Sequence, residues 1–234
     1  MASSPADACV PLQTIFANAH VQALTCRPSR GAWIDHFGQA PGQAVLRDPT
    51  ECASFLRAQG RTVHLLCNGG IYDANQRPVG LCVERGLVRV PLNRSAGQGN
   101  FYLQPNGVFF VDCGGARVLS SGVYAQVSPP AAGLRLAVQS GPLLLEQGTV
   151  SSALTPKSTN RTTRSGVGVK PSGDVLFALA TDPINFYDFA SFFLRAGCSD
   201  ALYLDGAISS FWGPAFVPAP HPPPYGGILA VTTG

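Results

Sequence analysis

The strongest constraint in this sequence is its punctuation. From residue 61 onward, apolar β-rich runs recur, and nearly every one ends in a turn built on glycine or proline. The runs are "RTVHLLCN" (61–68), "VGLCVERGLVRV" (79–90), "NFYLQPNGVFFVD" (100–112), "ARVLSSGVYAQV" (116–127), "LRLAVQSGPLLL" (134–145), "SGVGVKPSGDVLFALA" (165–180) and "DALYLDG" (200–206). The "ERG", "PNG" and "PSGD" segments read as hairpin turns. With 26 Gly and 20 Pro in 234 residues, the chain is divided too finely for long helices. The expected fold is α+β: curved, mostly antiparallel sheets with two principal helices.

Those two helices carry the same grammar. "DPTECASFLRAQG" (48–60) has Asp48 as N-cap, Pro49 in the first turn and Gly60 as stop; "DPINFYDFASFFLRAG" (182–197) repeats it with Asp182, Pro183 and Gly197. Helices are therefore predicted near 49–59 and 183–196. Each precedes a strand that ends on a short polar residue and glycine: Asn68-Gly69 in one unit, Asp205-Gly206 in the other. Side by side, the two units would bring Asn68 and Asp205 together at one edge of a sheet. The tail has a proline cluster at 222–224, expected as an extended surface segment before a last strand over 228–232.

Apolar residues make up 45% of the chain and charged residues 12%, so a large core can form and global disorder is excluded. A net charge of +3 without Lys/Arg runs gives no footprint for nucleic acid. No stretch is long enough to span a membrane as a helix, and the N-terminus lacks the pattern of a signal peptide. The chain is read as cytoplasmic, or as the mature form of an exported protein. Residues 1–40 are read as an N-terminal extension packing on a domain of residues 41–234. The seven cysteines include no CxxC pair, which argues against a zinc ribbon or thioredoxin motif. Cys9 and Cys26 could pair in an oxidising compartment.

Chemistry narrows to a few places. Most of the thirteen acids fall at helix caps, hairpins or turns. Asp73, after "NGGIY", and Asp205, at the end of an apolar run, stand apart; small residues beside Asp205 let a ligand approach the backbone. "NGG" (68–70), "QSGP" (139–142) and "LDG" (204–206) each follow a strand-like run and can offer backbone N–H groups to an anion. Arg161 and Arg164 in "NRTTRSGVGV" could hold a phosphate, or simply form a solvated turn. No nucleotide loop, GxSxG elbow or spaced metal-ligand motif occurs. No cofactor is expected, although a divalent metal on backbone and Asn/Asp oxygens would leave no spacing signature.

Taken together, "NGGIYDANQRPVGLCVERG" (68–86), "GNFYLQPNGVFFV" (99–111), "AVQSGPLLLEQG" (137–148), "RTTRSGVGV" (161–169) and "INFYDFASFFLRAGCSDALYLDGAISSFW" (184–212) resemble the phosphodiester glycosidase family, its bacterial branch above all. The resemblance covers about residues 60–232. It implies cleavage of a sugar from a sugar-1-phosphodiester or a related small-molecule or polysaccharide glycoside, and an exported, periplasmic or secreted setting. It also implies Asp205, Arg164 and Asn68 as the catalytic group, Asp205 as nucleophile or base and Arg164 with Arg161 on the phosphate. Gly69, Gly70, Gln139, Ser140, Gly141, Gly206, Ser209 and Ser210 would line the substrate site, with Asp73 as a reserve carboxylate. A non-catalytic carbohydrate- or anion-binding module on the same scaffold is the alternative.

Overall fold

The computed structural model describes residues 8–38, 46–127, 133–206, 208–216 and 225–234. The proline cluster at 222–224 lies outside the described residues. In chain order the strands are β1 (Cys9–Phe16), β2 (Ala19–Cys26), β3 (Trp33–Phe37), β4 (Thr62–Asn68), β5 (Cys82–Glu84), β6 (Leu87–Val90), β7 (Gly107–Asp112), β8 (Gly115–Ser120), β9 (Leu136–Ser140), β10 (Leu143–Glu146), β11 (Thr149–Val150), β12 (Thr162–Val169), β13 (Val175–Ile184), β14 (Asp200–Asp205), β15 (Phe211–Trp212) and β16 (Ile228–Thr233). The helices are α1 (Pro49–Ala58), α2 (Ser121–Val127) and α3 (Phe186–Arg195). Among the described residues every strand pairing is antiparallel.

The described residues form three sheets: seven strands in the order β1-β2-β13-β12-β14-β10-β11, four as β15-β4-β16-β3, and five as β6-β5-β9-β7-β8. Their inner faces share one core. Leu24, Val167 and Leu202 of the first sheet meet Leu65, Leu229 and Val231 of the second, and Phe109, Leu136 and Val138 of the third. Each sheet is covered outside by a helix: α1 on Val63, Leu66 and Ala230, α2 on Val108, Phe110 and Ala137, and α3 on Leu176, Ala178 and Ala180. Covered on both faces, these strands read as continuous apolar runs rather than as alternation. The glycines of "SGVGV" explain how close α3 lies. A Cβ on Gly166 would come within 3.1 Å of the Phe193 ring, and one on Gly168 within 2.7 Å.

Local chemistry accounts for the predicted elements that form. Asp48 Oδ1 accepts from Thr50 N (2.6 Å) and Glu51 N (3.2 Å), satisfying two free amides at the start of α1. Arg85 and Gly86, both at positive φ, make the tight β5–β6 turn, and Gly173 closes the "PSGD" turn between β12 and β13. Cys9 faces Cys26 in the β1–β2 register, and both are free thiols. No described helix is long and apolar enough to cross a membrane.

Three expectations need correction. Helix α3 begins at Phe186, not 183: β13 continues through Pro183 to Ile184, and Asn185 is the cap, its Oδ1 accepting from Asp188 N at 2.8 Å. Asp182 instead binds His20, at 2.9 Å to the backbone N–H and 2.5 Å to the ring. The segment 116–127 is not all strand, because α2 starts at Ser121. Its Val123 and Val127 face outward while Ser121 and Tyr124, three apart, are buried. The "PNG" segment makes no hairpin; a 3₁₀ turn at Asn100–Tyr102 precedes it, and Gly107 opens β7.

Candidate active site

Asp205 ends β14, an interior strand between β12 and β10. Its Oδ1 accepts from Gly206 N at 2.5 Å and its Oδ2 from Asn68 Nδ2 at 3.2 Å. Asn68 ends β4 of a different sheet, so the two residues converge across two sheets rather than at one edge, as the helix–strand repeat had suggested. The same Asn68 amide donates to Gly70 O at 2.7 Å. The reverse amide orientation would set an oxygen against both that carbonyl and the carboxylate, so the donor orientation is fixed. Gly70 has φ +127°, and a Cβ there would lie 2.6 Å from Val138 Cγ1.

Serines lock the strand end. Ser140 Oγ donates to Leu204 O at 3.0 Å, and Ser165 Oγ to Asp205 O at 2.9 Å. Ser209 Oγ lies 2.6 Å from that same carbonyl and 2.7 Å from Ser165 Oγ. The carboxylate is therefore held through its own oxygens and through the backbone that carries it.

In front of Asp205 is a cleft of about 260 Å³, walled by Ile71, Val79, the segment 98–102 and Tyr203. Tyr203, two residues before Asp205, comes to the same side by strand alternation. Burial first, then the negative charge of Asp205, pushes its phenol up to about 12, so it remains a hydrogen-bond donor. Its hydroxyl meets Asn100 and Arg164. Arg164 is 1% exposed. Its Nε donates to Ile184 O at 2.7 Å, its Nη2 to Asn160 O at 3.0 Å, and its plane lies 3.5 Å over the Phe186 ring. A phosphate in the cleft would meet no exposed face of this guanidinium.

The remaining expected site residues divide. Gly69 and Gly206 adjoin the Asn68–Asp205 pair, and Gly141 packs against Phe101 O, which a Cβ would approach to 2.7 Å. Gln139 is buried and builds a wall: its Oε1 accepts from Leu81 N and Asn93 N at 2.9 Å each, and its Nε2 donates to Asn93 O and Ser121 Oγ. Asp73 is exposed and organises its own turn, accepting from Asn75 N and Arg77 N. Arg161 ties the carbonyls of Ala17 and Pro183 to Asp188. Ser210 bonds the hydroxyl of Tyr225. These last three lie outside the Asp205 cleft.

Sequence reasoning missed Tyr203 in the cleft wall, and the His36–Tyr72 pair that packs behind Gly69 as part of the frame. Tyr203 was within reach, because residues i and i−2 share a strand face. His36 and Tyr72 were not: the His36 Nε2 to Tyr72 hydroxyl contact of 3.1 Å joins β3 to the loop after β4. Burial lowers His36 to about 4 and raises the Tyr72 phenol, so both are neutral near pH 7. Among the described residues no three His, Cys, Asp or Glu side chains cluster as a metal site.

The sequence profile of the phosphodiester glycosidase family matches residues 61–214, a span holding every site residue above except His36. The Escherichia coli (strain K12) protein YigE, itself uncharacterized, is 36% identical over 199 residues, 82% of this chain and 74% of the relative. Among solved structures, the catalytic domain of zebrafish N-acetylglucosamine-1-phosphodiester alpha-N-acetylglucosaminidase, auto-inhibited by its pro-peptide, superposes with a TM-score of 0.61 at 16% identity, covering 95% of this chain and 81% of that one. A hypothetical protein from Synechocystis gives 0.60 at 14% identity, covering 97% and 62%. At these identities the structural likeness is one of fold.

Proposed function

The chain belongs to the phosphodiester glycosidase family, and we propose that it hydrolyses the bond between a sugar's anomeric carbon and a phosphodiester oxygen, with Asp205 as the reacting carboxylate. The observation that carries this reading is how Asp205 is held. Its two oxygens take hydrogen bonds from Gly206 N and Asn68 Nδ2, and the carboxylate still opens on a cleft with Tyr203 and the segment 98–102. A carboxylate fixed beforehand loses little freedom when it meets substrate.

Asp205 acts as base or as nucleophile. As base it takes a proton from water while the water oxygen bonds to the anomeric carbon. The carbon–oxygen bond to phosphate breaks, and its electron pair leaves on the phosphate oxygen. As nucleophile it forms the sugar ester first, and water then cleaves that ester. Either route yields the free sugar and a phosphomonoester. Most glycosidases place two carboxylates around the scissile bond. Asp205 is the sole acid among the described residues lining this cleft, and a phosphate leaving group departs without a strong general acid. Tyr203 and Asn100 supply polar contacts for sugar hydroxyls, and Arg164 acts on the site by positioning Tyr203.

The test is a panel of sugar-1-phosphodiesters given to wild-type protein and to Asp205→Asn, with free sugar and phosphomonoester measured together. Equimolar release by the wild type and little by the variant is expected. Absence of release across the panel, or equal release by both proteins, would overturn the assignment.

A further inference from the structure

The phosphodiester reaction needs a place for the charged half of the substrate, and the Asp205 cleft has no cation among its described lining residues. A second cleft of about 350 Å³ lies beside it, and Tyr102 lines both. The two are walls of one continuous loop: residues 93–97 line the second cleft and 98–102 the first. Gly97 lets the loop fold against Tyr102, since a Cβ there would sit 2.6 Å from the ring.

The second cleft has the opposite electrostatic character. Arg94 lines it, and no acid does among the described lining residues. Arg94 is exposed and has no hydrogen bond or ion pair with any described residue. Its base is nevertheless fixed: Asn93, the preceding residue, exchanges hydrogen bonds with the buried Gln139 amide, donates from Nδ2 to Val79 O at 2.8 Å, and accepts from Ser95 N at 2.9 Å. Ser121 lines the same cleft, and its Oγ already accepts from Gln139 Nε2 at 3.1 Å, which leaves its own proton to donate. A guanidinium fork on an anchored stem, sharing a cleft with a hydroxyl donor and with no acid among the described lining residues, suits a phosphate oxygen pair.

We infer that the Arg94 cleft binds the phosphate of the substrate while the sugar occupies the Asp205 cleft, the two halves passing on either side of Tyr102. This rests on the phosphodiester reading of the Asp205 site. Arg94, rather than Arg164 or Arg161, is then the residue that selects an anionic aglycone.

Two measurements test it. In steady-state kinetics, Arg94→Gln should lower the ratio of kcat/KM for a sugar-1-phosphodiester to that for the neutral nitrophenyl glycoside of the same sugar by about tenfold, chiefly through KM, and Arg94→Lys should recover part of the loss. An unchanged ratio would overturn the inference. Independently of turnover, methyl phosphate titrated into wild-type protein should bind about tenfold more tightly than into Arg94→Gln, and more tightly than acetate does. Equal affinities in the two proteins, or acetate matching methyl phosphate, would overturn it. Methyl phosphate binding that depends on Arg94 in a protein without turnover would keep the anion site and discard the reaction; turnover indifferent to Arg94 would do the reverse.

Discussion

Behind Tyr203, Arg164 lies buried between an aromatic ring and two backbone carbonyls; beyond Tyr102, Arg94 stands exposed on a loop whose base alone is fixed. The side chains are the same, and the environments give them opposite uses. A buried guanidinium must have its donors met inside the protein or the fold loses several kilocalories, so its partners are set before any ligand arrives. An exposed one is satisfied by water, which a ligand can replace. The residue that looks most like an anion binder in the sequence is thus part of the frame, and the anion binder is a loop arginine without a motif.

The largest expected effect separates chemistry from frame. Asp205→Asn keeps the side chain's shape but turns an amide NH₂ toward one of the two donors, Gly206 N or Asn68 Nδ2. It should lower kcat by roughly 10²–10⁴-fold, the usual contribution of a positioned acid or base, and cost only about 1 kcal/mol in urea unfolding. A loss of stability as large as that of Arg164→Leu, with kcat little changed, would mean that Asp205 belongs to the frame as Arg164 does.

Arg164→Leu should do the converse. It strands the carbonyls of Ile184 and Asn160 and frees the Tyr203 hydroxyl, at a cost of about 3 kcal/mol in urea unfolding. Whatever activity the folded fraction keeps should fall alike on phosphodiester and neutral aryl glycosides. A loss confined to the phosphodiester would return Arg164 to the substrate and break the contrast with Arg94.

A smaller effect comes from a second buried group of the frame. His36, against the Tyr72 hydroxyl and Cys82, has its pKa depressed to about 4. The unfolded chain takes up a proton near pH 6.5 and the folded one does not. The stabilising contribution is therefore full above about 6.5 and is lost as pH falls toward 4, at no more than about 1.4 kcal/mol per pH unit. Urea midpoints measured between pH 7 and 4 should show this decline, and His36→Phe should flatten it. A wild-type midpoint that rises as the pH falls would contradict the burial of a neutral ring.

How much of this could be read in advance follows the range of the interactions. Helix α1 was legible because Asp48 and Pro49 act within four residues of each other. Asp182-Pro183 presents the same local signal, but there β13 pairing and the Arg164–Ile184 bond carry the chain past it as strand, and neither is local in sequence. Asp205 and Asn68 were legible as strand ends beside glycine. That they meet from two sheets depends on packing that no spacing encodes. Arg94 was not legible at all: no motif marks "NRSAGQG", and what fixes its base is Gln139, 46 residues from Asn93.

The central claim is that the sugar's anomeric carbon, not phosphorus, is attacked beside Asp205. Turnover of a sugar-1-phosphodiester in ¹⁸O-labelled water, with the phosphomonoester read by mass spectrometry, tests it directly. Cleavage of the carbon–oxygen bond leaves the phosphate oxygens unlabelled and delivers the label to the sugar. A phosphomonoester carrying one ¹⁸O would mean attack at phosphorus, and the assignment of Asp205 to the anomeric carbon would be wrong.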